Sequence, residues 1–386
     1  MNQQIRIERL AANQRRLINR RLLHLIDAIE TLTRRTSRDP TNVVRLAAQR
    51  ARLDRLMDEI LPLVDTALLG KDSLYDALKE TLGDTVASEL NLHADLINRA
   101  TGAPLMRNTI TPAQIEQTID TTVFPSPAGP GTPNVFRGEA TVWLENIRDN
   151  FTRRLRSAWL GSLTEGPTLN DLLVGLRGST AGRLGPRSVA SVTSAQSQAF
   201  YRTWQSAVHN QARITMYKNN DDFIRSIRDV ATFDTRTVAI SIARHGNRYR
   251  IPSLEPLRRL DGRQSHAYLG GMPYHVGERN FYTPELRRVS DIEKSDRAYT
   301  KARVKELNQS QRQALDGKIP DNTTFDAFLR RQTATEQREI LGTGTYNLWR
   351  DGKLTLRDLI RSTTGRQLSV TELTERYGET TASNLR

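Results

Sequence analysis

Three histidines and two acidic residues lie between positions 245 and 278, and side chains of these types can bind a metal ion. They are His245, Asp261, His266, His275 and Glu278. Zinc sites are usually built from close ligand pairs, such as two cysteines or two histidines a few residues apart. This segment has no such pair, and the chain contains no cysteine. We therefore expect no metal ion here, and we expect His275 and Arg279 to hydrogen-bond a loop in place.

Catalytic motifs are also missing from the sequence. There is no Gly-x-Ser-x-Gly elbow and no His-Glu-x-x-His, and the Gly-x-Gly of LGTGTYN lacks the following Lys-Ser/Thr of a phosphate-binding loop. Asp234 and Asp261 could belong to a nuclease-like site, but isolated carboxylates mostly occupy turns or the surface. We expect a protein that is not an enzyme, with no catalytic residues and no cofactor.

Arginine dominates the basic residues at the start of the chain. Residues 1–60 contain thirteen arginines, no lysine and seven acidic residues. A guanidinium group can bind a phosphate or carboxylate through two hydrogen bonds, so this region could follow a DNA backbone or contact carboxylates of a partner protein. Alternatively, the arginines pair with acidic residues such as Glu8, Asp27, Glu30 and Asp54 on a solvated bundle. The contact candidates are Arg15, Arg16, Arg20, Arg21, Arg34 and Arg35.

The net charge of +14 and the isoelectric point near 10.3 indicate polyanionic partners, of which double-stranded DNA bound without sequence preference is the first candidate. Acidic protein partners are the alternative. No window approaches eighteen uninterrupted apolar residues, and the first residues lack an apolar signal core. We therefore expect no membrane partner and no export by a signal peptide.

The spacing of apolar residues predicts a mainly α-helical protein with a small β element. Residues 1–123 are predicted to form an Arg-rich bundle of long amphipathic helices, in which Gly70 and Gly83 end helices. Proline and glycine in residues 124–138 predict a linker. Residues 139–375 are predicted to form an α+β domain, in which residues 229–251 make two strands joined around His245-Gly246-Asn247. Residues 376–386 form a tail.

Four segments in the second half of the chain together resemble a known family. In order, they are DVATFDTRTVAIS, ARHGNRY, GGMPYHVGERNFYTP and, from residue 325, FDAFLRRQTATEQREILGTGTYNLWRDGKLTLRDLI. They resemble the signature of the phage head-morphogenesis, or minor head protein, family. The family's cysteines are absent, and Ser241, Glu278 and Asn280 stand in their places. The residues that match include Asp234, Arg236, Thr237, Pro273, His275, Arg279, Trp349, Gly352, Lys353 and Leu354.

The resemblance implies a minor head (capsid) protein of a tailed phage, made in the host cytoplasm and located inside the virion near the portal. Its partners would be the portal protein and the head shell, and it would act in head assembly, with possible effects on DNA packaging or ejection. The alternatives are an internal DNA-binding protein ejected with the genome and, from another class, a nuclease-like or toxin-like effector.

Two of the matching segments have a structural explanation of their own. The Asp234 carboxylate can accept backbone hydrogen bonds in a turn and pair with Arg236. Trp349 and Leu354 can close a small core around a chain reversal at Asp351-Gly352. We expect these residues to hold the fold rather than to bind a ligand.

Overall fold

The computed structural model describes residues 2–36, 46–126, 136–163, 174–177, 188–232, 237–259, 261–278, 280–293, 325–361 and 366–377, together with residues 305, 306 and 309. The chain is mainly helical with a small antiparallel sheet, as the sequence predicts. It divides into two compact units. Unit 1 comprises residues 1–84, 119–126 and 137–205, and unit 2 comprises residues 85–118, 127–136 and 206–386.

The first half of the chain is built from long helices and one short strand pair. The elements are α1 (Asn2–Thr36), α2 (Leu46–Leu69), α3 (Leu74–Thr101), α4 (Pro112–Thr121), β1 (Phe124–Ser126), β2 (Phe136–Gly138), α5 (Ala140–Leu163) and α6 (Val189–Asn219). Strands β1 and β2 form a two-stranded sheet at the two ends of the predicted linker. The residues between them, 127–135, lie outside the described part of the chain.

The core of unit 1 follows from the helical spacing of its apolar residues. In α1 the buried side chains recur every three or four residues, at Ile18, Leu22, Leu25 and Ile29, which places them on one face. The α2 stripe from Leu56 to Leu68 and the α5 stripe from Trp143 to Leu155 are buried in the same way. An aromatic cluster adds to this core, with the ring of Phe200 5.5 Å from that of Trp143 and 5.3 Å from that of Trp204.

Helix α3 corrects one expectation, because it runs through Gly83 instead of ending there. The apolar stripe of Leu78, Leu82, Val86 and Leu90 continues past the glycine and is fully buried. Burial of this stripe outweighs the low helix propensity of one glycine, which amounts to about 1 kcal/mol relative to alanine. Gly70, in contrast, directly follows the end of α2, and its N–H donates to the carbonyl oxygens of Asp65 and Thr66.

Unit 2 contains a four-stranded antiparallel sheet with the order β5-β4-β3-β6. Its strands are β3 (Ile224–Val230), β4 (Arg248–Arg250), β5 (Pro256–Leu257) and β6 (Phe281–Leu286). The central strand β3 pairs with both neighbours, so that Ile227 lies opposite Tyr249 on one side and Pro284 on the other. A short helix, α7 (Ala239–Arg244), stands between β3 and β4 in the sequence.

Helix α7 is the second departure from the sequence-based expectation. Residues 229–251 contain the end of β3, a helix and β4 instead of two strands joined at a tight turn. The segment AISIAR has apolar side chains that fit either a strand or one helical turn. Four consecutive side chains of a helix point all round its axis, so the burial of Ser241, Ile242, Ala243 and Arg244 means that α7 is enclosed by its neighbours on every side.

The last part of unit 2 packs as a helical cluster. It contains α8 (Val289–Glu293), α9 (Phe325–Arg330), α10 (Ala334–Leu341), α11 (Thr343–Arg350), a 3-10 turn (Leu356–Leu359) and α12 (Val370–Tyr377). Phe325, Leu329, Trp349 and Leu354 share one core with Ile242 of α7. The matching tail segment therefore packs against the segment that carries the first part of the resemblance. None of the helices described has the length and apolar character needed to cross a bilayer.

Candidate functional site

A buried ion pair joins β3 to α7 in unit 2. Asp229 lies near the end of β3 and Arg244 is the last residue of α7, and both side chains are fully buried. The Asp229 Oδ2 and Arg244 Nε atoms are 3.7 Å apart. A buried charge is costly unless it is paired and hydrogen-bonded, so the surrounding groups decide whether this arrangement is stable.

Two tyrosine side chains contact this ion pair. The Tyr274 hydroxyl donates to Asp229 Oδ2 at 3.0 Å, and the Arg244 guanidinium lies over the Tyr274 ring, 4.3 Å from its centre. Arg244 Nη2 donates to the Tyr249 hydroxyl at 2.5 Å and to the carbonyl oxygen of Ala267 at 2.8 Å. The pair thus ties β3, α7, β4 and the 261–278 loop together.

Burial and charge shift the titration of this pair. Burial raises the pKa of Asp229, and the charge of the Arg244 guanidinium opposes this rise. Burial alone would lower the pKa of Arg244, but Tyr274, Tyr249 and the Asp229 carboxylate raise it, so the guanidinium remains charged. The group offers no accessible nucleophile or base, since Asp229 and Arg244 have no exposed surface. Its role is to hold the sheet and the helix in register.

A second polar cluster, which we name the polar clasp, consists of the buried Ser241, Glu278 and Asn280 and the half-buried His275. Glu278 Oε1 accepts hydrogen bonds from Ser241 Oγ at 2.6 Å and from Asn280 Nδ2 at 2.7 Å. Glu278 Oε2 accepts the backbone N–H of Tyr274. His275 Nε2 lies 3.2 Å from Ser241 Oγ. Burial raises the pKa of Glu278, while His275 and the Ser241 hydrogen bond act to lower it.

The polar clasp occupies the positions at which the resembled family has cysteines and a histidine. Ser241 is in α7, His275 and Glu278 are in the loop before β6, and Asn280 directly precedes that strand. Ser241 lies 34 residues before His275 and 37 before Glu278, yet its hydroxyl is within hydrogen-bonding distance of both. The fold therefore brings together the four positions that the resemblance singles out.

Serine, histidine and glutamate also suggest a nucleophilic triad, but the geometry differs from one. The Ser241 hydroxyl donates its proton to Glu278 directly, so it is not donated to the histidine. Glu278 approaches His275 at Nε2, 3.9 Å away, whereas the orienting carboxylate of a triad must bind Nδ1. Ser241 is also buried. The polar clasp therefore does not have the geometry of a Ser-His-acid triad.

The three histidines considered as metal ligands have separate partners. His245 Nδ1 accepts the backbone N–H of Ala231 at 3.2 Å, and His266 Nδ1 lies 3.2 Å from Asn247 Nδ2. Burial lowers the pKa of His266 to about 3, and the positive charges of Arg244, Arg357 and Arg259 add to the effect. In the part of the chain that the structure describes, no three His, Asp or Glu side chains are arranged to hold a metal ion.

The remaining residues of the resemblance are only partly visible. Thr237 is buried, and its hydroxyl donates to the carbonyl oxygen of Thr232. Asp234, Arg236 and Arg279 lie outside the described residues, so the predicted pairing of Asp234 with Arg236 and with backbone N–H groups stays a prediction.

The tail segment closes around a buried tryptophan. Trp349 is 4% exposed, and its Nε1 donates to Asp326 Oδ1 at 2.7 Å. Gly352 has φ = 72°, a conformation that favours glycine, and the N–H groups of Lys353 and Leu354 both donate to the carbonyl oxygen of Leu348. Leu354 is buried and Lys353 is exposed. Trp349 and Leu354 thus lie on either side of the chain reversal and in one core.

Four of the six arginine candidates can be placed, and all four are exposed. Arg15, Arg16, Arg20 and Arg21 are solvent-exposed on α1. The side chains of Arg34 and Arg35 lie outside the described part. Two acids that could have neutralised this face are committed elsewhere, since Glu30 pairs with Arg177 and Asp54 with Arg156. Among the described side chains, no carboxylate lies within 4 Å of the four arginines.

Several residues at the centre of unit 2 carry no signal in the sequence. Asp229, Arg244 and Asn247 are polar residues scattered through a segment that reads as exposed turns and strands. Their burial depends on four elements meeting at one point. In β3 the buried Ile227 lies two residues before Asp229, so the two-residue period of a strand could have indicated that Asp229 points to the same buried face.

Comparison with known proteins gives no relative. No protein-family model matches this chain, no curated protein matches it, and no solved structure matches it. The function must therefore be argued from the residues and their geometry.

Proposed function

We propose that this protein is a minor head protein of a tailed phage, located inside the virion at the portal vertex, where it acts in head assembly by binding rather than by catalysis. Unit 2 contains the segments that resemble the head-morphogenesis family, and we assign contact with the portal protein and head shell to it. The exposed arginines of unit 1 face the packaged DNA. The protein is made in the host cytoplasm and enters the head during assembly.

The observation that carries this proposal is the polar clasp. The resemblance selects Ser241, His275, Glu278 and Asn280 from the sequence alone, as the positions of a histidine and three lost cysteines. These four side chains form one hydrogen-bonded cluster. Three of these positions are close in sequence, but a chance likeness between unrelated segments would give no reason for Ser241 to meet them. The packing of the tail segment against α7 supports the same assignment.

The exposed arginine face favours the second candidate, an internal DNA-binding protein that leaves the head with the genome. This function requires DNA contact but no portal contact. The two functions therefore differ in the partner that unit 2 binds.

Co-purification with the portal protein separates these two functions. Affinity-tagged full-length protein would be produced together with the portal protein of the same phage, and the lysate treated with nuclease. We expect the portal protein to be retained. The control is a full-length variant with Arg15, Arg16, Arg20 and Arg21 changed to Gln, which should retain the portal protein equally while losing DNA. Loss of the portal protein after nuclease treatment would favour the internal DNA-binding protein.

A further inference from the structure

The arginine face of α1 continues onto a second helix of unit 1. Gln14 Nε2 of α1 donates to the Tyr201 hydroxyl of α6 at 2.8 Å, and Ser194 Oγ of α6 donates to Asn19 Oδ1 of α1 at 2.6 Å. Along α1 the contacts run from residue 14 to residue 19, while along α6 they run from residue 201 back to residue 194. The two helices are therefore antiparallel in this region, and the Arg15–Arg21 segment lies beside residues 194–201.

Arg202 follows Tyr201 directly in α6, and its side chain is exposed while Tyr201 and Thr203 on either side are buried. It lies at the level of Gln14, within about one helical turn of Arg15 and Arg16 along the axis. As with the four arginines of α1, no carboxylate among the described side chains lies within 4 Å of it. At 100° per residue, Arg15, Arg16 and Arg20 lie within about 140° of the circumference of α1, whereas Arg21 lies about 100° beyond Arg20. Four guanidinium groups from two helices, those of Arg15, Arg16, Arg20 and Arg202, thus occupy neighbouring positions on one unit.

The chemistry of this surface fits the phosphate backbone of a duplex. Guanidinium groups bind phosphate oxygens in a two-point geometry, and neither α1 nor residues 189–205 of α6 contains a lysine. Single-strand binding normally adds exposed aromatic rings on which bases stack. Nearby, Phe200, Tyr201 and Trp204 are buried, and the large exposed hydrophobic residues described in unit 1 are the valines Val123 and Val174.

We infer that Arg15, Arg16 and Arg20 of α1 and Arg202 of α6 form a single two-helix surface that binds the phosphates of duplex DNA without reading its sequence. This inference rests on the proposed function and deepens it, because it adds a contact residue on a second helix. The hydrogen bonds of Gln14 and Asn19 fix the position of α1 relative to α6, and so fix the spacing of the helix positions that carry the four cations.

The salt dependence of binding counts the phosphates that the surface neutralises. For B-DNA the slope of log K against log salt concentration is about −0.9 per phosphate contact. Four contacts predict a slope of about −3.6 for the full-length protein on a 30-base-pair duplex of arbitrary sequence. Arg202→Gln should make the slope less steep by about 0.9, and the double variant Arg16→Gln, Arg20→Gln by about 1.8.

Arg331→Gln is the matched control, because Arg331 is an exposed arginine of unit 2 and its loss changes the net charge by the same amount. Its slope should equal that of the unmodified protein. All variants should keep the unmodified melting temperature, since these side chains are exposed. An unchanged slope for Arg202→Gln beside a reduced slope for the α1 variant would overturn the inference and leave DNA binding intact. Equal affinity for a single strand of the same length would overturn the duplex assignment. Absence of salt-dependent binding by the unmodified protein would instead reject the DNA role in the proposed function.

Discussion

Glu278 is the residue on which the polar clasp depends, because its carboxylate accepts three hydrogen bonds, from Ser241, from Asn280 and from the backbone N–H of Tyr274. Glu278→Ala would leave these buried donors without an acceptor. We expect a loss of about 3 kcal/mol in the free energy of unfolding, measured by urea denaturation, since hydrogen bonds to charged groups contribute about 1.5 to 3 kcal/mol and unpaired buried donors add a penalty.

Glu255→Ala is the control for this substitution. Glu255 is exposed and lies 3.6 Å from Arg250 in a surface ion pair. Its removal should change stability by less than about 0.5 kcal/mol. An equally small effect of Glu278→Ala would mean that the polar clasp does not stabilise unit 2.

We expect the free energy of unfolding to depend on pH through His266. Its pKa is about 3 in the folded protein because it is buried near Arg244, Arg259 and Arg357, whereas the unfolded chain has the ordinary value of 6.5. Between these values the unfolded state binds a proton that the folded state does not, so stability falls as the pH is lowered from about 6.5. Each pH unit below that point costs about 1.4 kcal/mol.

His266→Asn removes this titration. Between pH 7 and pH 5 we expect the unmodified protein to lose about 2 kcal/mol more stability than the variant, as measured by urea denaturation at each pH. Comparing the two proteins also cancels the other buried histidines, such as His209, whose pKa burial lowers to about 4. Parallel pH profiles would show that His266 is not held neutral in the folded state.

At the scale of single elements, substitution of Gly83 tests whether α3 tolerates another residue in the middle of its buried apolar stripe. The helix passes through this glycine without a special backbone conformation, and a Cβ atom there would meet only Ile119 Cδ1, at 3.9 Å. Alanine should fit and should reduce the entropy of the unfolded chain, so we expect Gly83→Ala to raise stability by about 0.5 to 1 kcal/mol.

Gly342, between α10 and α11, provides the opposite case. It has φ = 75°, and a Cβ atom would meet nothing within 4 Å, so strain alone determines the outcome. Gly342→Ala should lower stability by about 1 kcal/mol. Thermal or urea unfolding measures the stability of both variants. Destabilisation by Gly83→Ala would indicate that α3 needs the glycine at this position.

The helices were predictable from sequence where an apolar stripe is long, and less so where the elements are short. The stripe from Ile18 to Ile29 predicts α1, and that from Trp143 to Leu155 predicts α5, because 3.6-residue periodicity is maintained over several turns. The prediction that a helix ends at Gly83 is wrong because burial of the surrounding apolar stripe outweighs the low helix propensity of glycine. The prediction of a strand over residues 239–244 is wrong because six residues are too few to distinguish a helix from a buried strand.

The candidate site was predictable only in part, for a related reason. Family resemblance could select Ser241, His275, Glu278 and Asn280 as positions, but it could not indicate that Glu278 would be the shared acceptor. Asp229 and Arg244 required the three-dimensional structure, since a buried ion pair has no local sequence signature. The exposure of Arg15, Arg16, Arg20 and Arg21 followed from the helical pattern, whereas the position of Arg202 beside them depends on how α6 packs against α1.

At the scale of the whole molecule, the lysine-free, arginine-rich segment and the segments of the resemblance occupy different parts of the chain. Residues 1–60 contribute thirteen of the 57 basic residues and no lysine, while the segments of the resemblance lie beyond residue 228. This separation is the basis for assigning DNA contact to unit 1 and portal contact to unit 2. The predicted division at residues 124–138 stays a prediction, and each unit draws on residues from both sides of that segment.

A reconstruction of the phage particle made without imposed icosahedral symmetry would test the proposed location at the portal vertex most directly. We predict density for this chain at a single vertex, inside the head, with residues 206–377 against the portal and the arginine face of α1 and α6 turned towards the DNA. The number of copies should be small. Density repeated at all vertices, or an absence of this chain from the portal vertex of intact particles, would contradict the account.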